Sequence, residues 1–253
     1  MASRIREPRI HPAEWAADFH DPAWNIYEAV IDAAQAAQVP FALGGAFGLA
    51  TYTGTWRDTK DLDLFVLPRD RRRMIALVTR TGLTDYYERV PYDRRWIYRA
   101  IGDEVIVDTI WAMANRRSKV DDWWFSGPEI LMRGRTIRVV PAEAMLWDKL
   151  YIMQRERCDW PDIMNLLYRQ GASLEWRTLL DRLGDDVALL TGALSVFRWL
   201  SPGMARHFPH WLWAAVNLPQ PKSGRAHALQ QERAALLDSR LWFAKAQVRR
   251  RAA

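Results

Sequence analysis

The segment "DLDLFV", Asp61 to Val66, limits the folds open to this chain more than any other feature. Aspartate is a poor strand former, so two of them alternating with leucine in an apolar run oppose the local preference. Alternate residues of a strand share a face. Asp61 and Asp63 are therefore expected to project together on one side, while Leu62 and Leu64 pack inward on the other. Upstream, the short buried strand "VPFALGG" runs into two adjacent glycines, Gly44 and Gly45, and a helix from about Phe47 to Thr53 fills part of the gap. Paired glycines, a short helix and alternating acids are the arrangement to be explained.

Three chemistries use glycines after a strand. A P-loop is excluded, because "GLATYTGT" lacks the lysine that reaches the phosphates. A dinucleotide-binding turn has Asp63 at a suitable distance for a ribose, but "GGAFG" is not G-x-G-x-x-G. The strands that follow it also read as hairpins rather than as crossover units. The third chemistry uses the acids. Asp108 in "VIVDTIW" is another carboxylate inside an apolar strand. If that strand lies beside the first, three carboxylates converge, repel one another and raise each other's pKa. A hard divalent cation such as Mg²⁺ relieves that repulsion and takes oxygen ligands of this kind.

These residues resemble the DNA polymerase beta-like nucleotidyltransferases. That family's pattern is an apolar residue, Gly-Gly or Gly-Ser, a short helix, Asp-x-Asp or Asp-x-Glu between apolar residues, and a third acid on a neighbouring strand. Here they are Leu43, Gly44, Gly45, Asp61, Asp63 and Asp108. The resemblance implies two Mg²⁺ ions, or Mn²⁺, held with the triphosphate of an NTP by Asp61 and Asp63. Asp108 would help to bind the catalytic metal and to activate the attacking hydroxyl. Gly44 and Gly45 would let the backbone approach the phosphates. A second stretch, "EAMLWDKLYIMQRERCDWPDIMNLL", resembles the helical part of bacterial antibiotic-modifying and abortive-infection-toxin nucleotidyltransferases, through Lys149, Arg157, Asp159 and Asp162. It implies that Lys149 faces the triphosphate, with Asp159 or Asp162 in the site. The plainer alternatives are an exposed helix lysine, and a helix cap at Asp159 beside Pro161. Arg57 and Lys60 are further nucleotide-binding candidates, or simple ion-pairing partners of the acids.

Around these motifs the pattern predicts an α+β fold: a mixed α/β core with a central mixed sheet over residues 1–140, then an all-α region over 141–253. "DPAWNIYEAVIDAAQAAQ" reads as a helix with Asp21 as N-cap and Trp24, Tyr27, Val30, Ile31 and Ala34 on one face. "RDRRRMIALVTRTG" reads as a basic helix. "RRWIYRAI", "EVIVDTIW" and "TIRVVP" read as strands, with Gly102-Asp103 turning the first into the second. From Pro141 the segments "AEAMLWDKLYIMQRE", "PDIMNLLYRQG", "LEWRTLLDRLG" and "DVALLTGALSVFRWL" read as helices, followed by a last one from about Arg225. Asp121-Asp122 and Asp185-Asp186 suit turns or caps. Trp111, Trp123, Trp124 and Trp147 suit the core.

Composition narrows the class. The single cysteine, Cys158, rules out an intrachain disulfide, and the five histidines show no ligand spacing for zinc. No apolar run approaches the length of a membrane span, and "MASRIREPRIHPAEW" lacks the apolar core of a signal peptide, so a cytoplasmic protein is expected. The net charge of +6 is carried entirely by the segment after Pro219, where eight basic residues face Glu232 and Asp238; the first 219 residues are neutral. A basic tail can bind RNA phosphates or merely stay solvated. The function expected is transfer of a nucleoside monophosphate from an NTP to an acceptor hydroxyl, on a small molecule in preference to tRNA or protein. A non-catalytic nucleotide- or nucleic-acid-binding regulator on the same fold is the alternative.

Overall fold

The computed structural model describes residues 11–13, 16, 21–56, 59–221 and 230–237. The chain divides into two compact units, Met1–Pro141 and Ala142–Ala253.

The first unit is α+β. Its strands are β1 (His11–Pro12), β2 (Ala42–Leu43), β3 (Asp61–Phe65), β4 (Thr84–Asp85), β5 (Ile97–Gly102), β6 (Val105–Ile110), β7 (Glu129–Met132) and β8 (Arg135–Arg138), and its helices are α1 (Asp21–Ala36), α2 (Gly45–Thr53) and α3 (Arg71–Arg80). Five strands form a mixed sheet in the order β2-β3-β6-β5-β4, with β3 and β6 parallel and the other neighbours antiparallel. A second sheet, β1-β7-β8, was only partly foreseen: "TIRVVP" was expected as a strand and "EILM" was not. A parallel bridge from Leu43 to Val139 joins the two sheets.

The periodicity explains the core. Trp24, Tyr27, Val30, Ile31 and Ala34 of α1 are all buried, and they cluster with Leu62 and Leu64 of β3, Val107 of β6, and Met74 and Val78 of α3. Each valine, leucine, isoleucine and methionine among them contributes about 1.5–3 kcal/mol through removal from water. Leu62 and Leu64 are fully buried while Asp61 and Asp63 are only partly so, as strand alternation requires.

One expected turn is shifted. Gly102 is the last residue of β5, paired with Val105, and the loop is Asp103–Glu104, both at positive φ (47° and 61°). Positive φ at both central residues suits the twist of a two-residue hairpin. Gly102 serves a different end, since a Cβ there would stand 2.7 Å from the Leu83 side chain.

The second unit is helical: α4 (Ala142–Leu150), α5 (Trp160–Gln170), α6 (Trp176–Leu183), α7 (Val187–Leu200), α8 (Pro202–Ala205), α9 (His210–Ala215) and α10 (Gln231–Leu237). Phe208 lies at its centre, stacked on Phe197 and Trp213 with ring centroids 5.3 and 5.9 Å away. α4 stops at Leu150, short of the expected "YIMQRE" extension. That stretch instead folds back as a loop closed by Gln154 N–H to Arg157 O (2.7 Å) and Asp159 N–H to Ile152 O (3.1 Å). The last expected helix is described only over α10. No described helix is long and apolar enough to cross a membrane.

Candidate functional site

The two glycines are accounted for residue by residue. A Cβ on Gly44 would lie 2.3 Å from the Phe65 ring, and one on Gly45, at φ +53°, would lie 1.7 Å from Asp63 Oδ2. Phe65 and Asp63 are alternate residues on the face of β3 opposite Leu62 and Leu64. Each glycine therefore admits one of them, and Gly44 N–H donates to Asp63 O at 2.9 Å. The consequence is a carboxylate seated against the first residue of α2, where the exposed N–H groups and the helix dipole favour negative charge.

Strand pairing then assembles a charged row. β3 and β6 run parallel with Asp63 opposite Asp108, and β6 pairs with β5 so that Asp108 lies opposite Arg99. Neighbouring strands are about 4.8 Å apart, so Asp63, Asp108 and Arg99 form one row across three strands. Asp61 stands one position along, opposite Ile106. Thr59 Oγ1 lies 3.4 Å from Asp61 Oδ1 and accepts the Asp61 N–H at 3.3 Å.

Arg99 was not foreseen in the site. It grips Asp108 bidentately, Nε to Oδ1 at 2.8 Å and Nη2 to Oδ2 at 2.5 Å. The Asp108 side chain is 1% exposed, so Arg99 meets it where water hardly reaches. Burial pushes its carboxyl above the ordinary value, Arg99 works to bring it down, and the Asp61 charge adds to the rise. The guanidinium is itself pushed further towards the charged form by its bond to Asp108. Tyr27 of α1, fully buried, also senses the acids. Burial first, then the charges of Asp61, Asp63 and Asp108, hold its phenol well above the ordinary value.

The chemistry of the row suits a divalent cation in part. Asp61 and Asp63 offer oxygen donors from one face, and the space left by Gly45 lets Asp63 be shared with the helix end. Asp108 as it stands has both oxygens on Arg99, and among the described residues no group of three acidic, histidine or cysteine side chains is gathered closely enough to hold a metal.

Lys60 is exposed at the start of β3, its carbonyl accepting the Ile106 N–H at 2.7 Å, and Arg57 lies outside the described residues. In the helical unit Lys149 is buried, its Nζ 2.8 Å from Asp159 Oδ2 and 2.7 Å from Asp162 Oδ2. It is thus not the exposed helix lysine of the plainer alternative. Asp159 sits at the N-cap position of α5 but makes no capping hydrogen bond with its side chain. Its carboxylate instead takes Arg157 at 2.9 and 3.0 Å. Burial raises the Asp159 carboxyl, and Arg157 and Lys149 together outweigh that and hold it below the ordinary value.

No protein-family model matches the sequence, and no curated protein sequence matches it. Solved structures do. The chain is similar to the antibiotic-resistance factor ANT(2'')-Ia in its solution structure, at 19% identity and a TM-score of 0.44, over 69% of this chain and 90% of that one. It is similar to the lincosamide antibiotic adenylyltransferase LnuA, lincomycin-bound, at 18% identity and a TM-score of 0.42, over 56% of this chain and 94% of that one. A nucleotidyltransferase-like protein from Paracoccidioides brasiliensis matches at 18% identity and a TM-score of 0.38, over 67% of this chain and 91% of that one. At these values the likeness assigns no residue and no substrate here.

Proposed function

We propose that this chain is a divalent-cation-dependent nucleotidyltransferase of the DNA polymerase beta-like kind, which transfers a nucleoside monophosphate from an NTP to an acceptor hydroxyl. The observation that supports it best is the acid row itself: Asp61 and Asp63 on one face of β3, with Asp63 seated against the start of α2 in the space that Gly45 leaves. A cation bound there would supply charge neutralisation at the phosphates and orient the in-line attack. Asp61 and Asp63 would hold it, and Asp108 in the same row would complete its oxygen ligands. The backbone at Gly44 and Gly45 and the N-terminus of α2 would take phosphate oxygens, with Arg57 and Lys60 close in sequence to counter their charge. Lys149, expected at the triphosphate, is engaged in two buried ion pairs within the helical unit.

In the reaction the acceptor oxygen bonds to the α-phosphorus while the bond from that phosphorus to the leaving oxygen breaks. Pyrophosphate departs with the electron pair, and the hydroxyl proton is lost to water. We favour a small-molecule acceptor, because the first 219 residues are neutral and offer no excess positive charge to a nucleic acid. A second reading, a nucleotide-binding regulator without turnover, draws on the bidentate hold of Arg99 on Asp108. The test is incubation of the protein with each labelled NTP, Mg²⁺ and a cell extract, followed by fractionation. Label in the small-molecule fraction supports the proposal. Label in RNA or protein would change the acceptor, and tight NTP binding with no label anywhere would favour the regulator.

A further inference from the structure

Arg99 is held as firmly as the carboxylate it grips. β4 is two residues long and its ladder with β5 ends at the pair Asp85–Ala100, so the next β5 residue, Arg99, has no strand on that side. The Tyr92 hydroxyl takes the place of the missing strand: it accepts the Arg99 N–H at 2.9 Å and lies 3.3 Å from the Arg99 carbonyl oxygen. That hydroxyl is in turn fixed at 3.0 Å from Asp85 Oδ1, and Asp85 is clamped by Arg94 at 2.5 Å. Backbone groups turned away from β6 make Arg99 and Asp108 a non-hydrogen-bonded cross-strand pair, the kind whose side chains stand closest. The guanidinium is thus aimed before any ligand arrives. Its side chain is 31% exposed while Asp108 is 1% exposed, so the guanidinium faces solvent and the carboxylate that it grips does not.

We infer that Arg99 is the resident counter-ion of the acid row, a positioning residue that lowers the row's affinity for a free divalent cation and so favours a cation that arrives already bound to a nucleotide. This rests on the proposed reading of the row as a cation site. Three carboxylates without a partner would attract a bare divalent ion strongly. With Asp108 bidentately paired, a fixed positive charge stands one strand beyond Asp108, beside the place of an ion shared by the three acids. Each Asp108 oxygen keeps a second lone pair, so the competition is electrostatic rather than steric. At a separation of about 5 Å in water-like surroundings, a +1 charge weakens binding of a +2 ion by about tenfold. A nucleotide brings the ion with its own negative charge, and the guanidinium then helps the encounter instead of opposing it.

The test is Mn²⁺ binding without nucleotide, followed by electron paramagnetic resonance, for the wild type, Arg99→Gln, Arg99→Lys and Asp61→Asn. The inference predicts about tenfold tighter Mn²⁺ binding in Arg99→Gln, near wild-type affinity in Arg99→Lys, and weaker binding in Asp61→Asn. Binding in Arg99→Gln that is equal to or weaker than wild type, while the wild type binds and Asp61→Asn does not, overturns the inference and leaves the cation site standing. No Mn²⁺ binding by the wild type even in the presence of NTP overturns both. Should Arg99→Gln fail to fold, the wild type decides the matter: the Arg99 Nε–H resonance should move on titration with Mg²⁺ alone, with the same midpoint as cation binding. A resonance unmoved at saturation overturns the inference.

Discussion

At Gly45 two demands coincide: a left-handed backbone and the absence of a side chain in front of Asp63. Gly54 has the first demand without the second, at φ +66° with nothing within 4 Å of its would-be Cβ. Gly54→Ala should therefore cost only the backbone strain, about 1 kcal/mol. Gly45→Ala should cost several times as much, about 3 kcal/mol or more, because the Asp63 carboxylate must also move. Denaturant unfolding of the two variants measures the difference, and equal costs would contradict the close packing. Asp61 and Asp63 were legible in the sequence because acids alternating with leucine conflict with a strand's ordinary pattern. Arg99 was not, because arginine in "RRWIYRAI" is an unremarkable outward residue until the hairpin register is known. A turn at Gly102-Asp103 would have put Ile97 opposite Asp108; only the turn at Asp103–Glu104 brings Arg99 there.

Among the elements, α4 and α5 are tied by the Lys149 cluster, and the chain between them folds back to supply Arg157 and Asp159. Removing the lysine takes the buried ammonium away from two buried carboxylates, Asp159 and Asp162, so Lys149→Met should destabilise the protein by about 3–5 kcal/mol in urea unfolding. A lysine that serves only the triphosphate would instead leave stability unchanged and weaken NTP binding. Next to it, burial pushes the Asp148 carboxyl up to about 6, with Lys149 opposing. A carboxyl raised in the folded state is destabilising once ionised, so stability is lost as pH rises from about 4 to about 6. Asp148→Asn should accordingly raise the melting temperature at pH 8 and bring no such gain at pH 4. The motif of this region was readable as residue types and spacing, yet its ion pairing was not, because helical periodicity beyond Leu150 masks the loop that turns Asp159 back onto Lys149.

On the scale of the molecule, an α+β unit carrying the acid row is followed by a helical unit, and the switch from strand to helix periodicity near Pro141 made that order legible. The small sheet β1-β7-β8 was less so, since strands of two to four residues leave too few positions for alternation to register. The positive charge is gathered after Pro219, a segment described only in part. If the acceptor were RNA, replacing Arg249, Arg250 and Arg251 with glutamine would weaken tRNA binding and flatten its dependence on salt. A small-molecule transferase should show no salt-dependent tRNA affinity to lose. The acid row as a cation-dependent nucleotide site is tested most directly by calorimetric titration of Mg-ATP and Mg-CTP into the wild type, Asp61→Asn and Asp63→Asn, each checked by its melting curve. The account predicts binding of at least one Mg-nucleotide by the wild type, and its loss in both variants with the fold retained. Unchanged nucleotide affinity in both folded variants would contradict it.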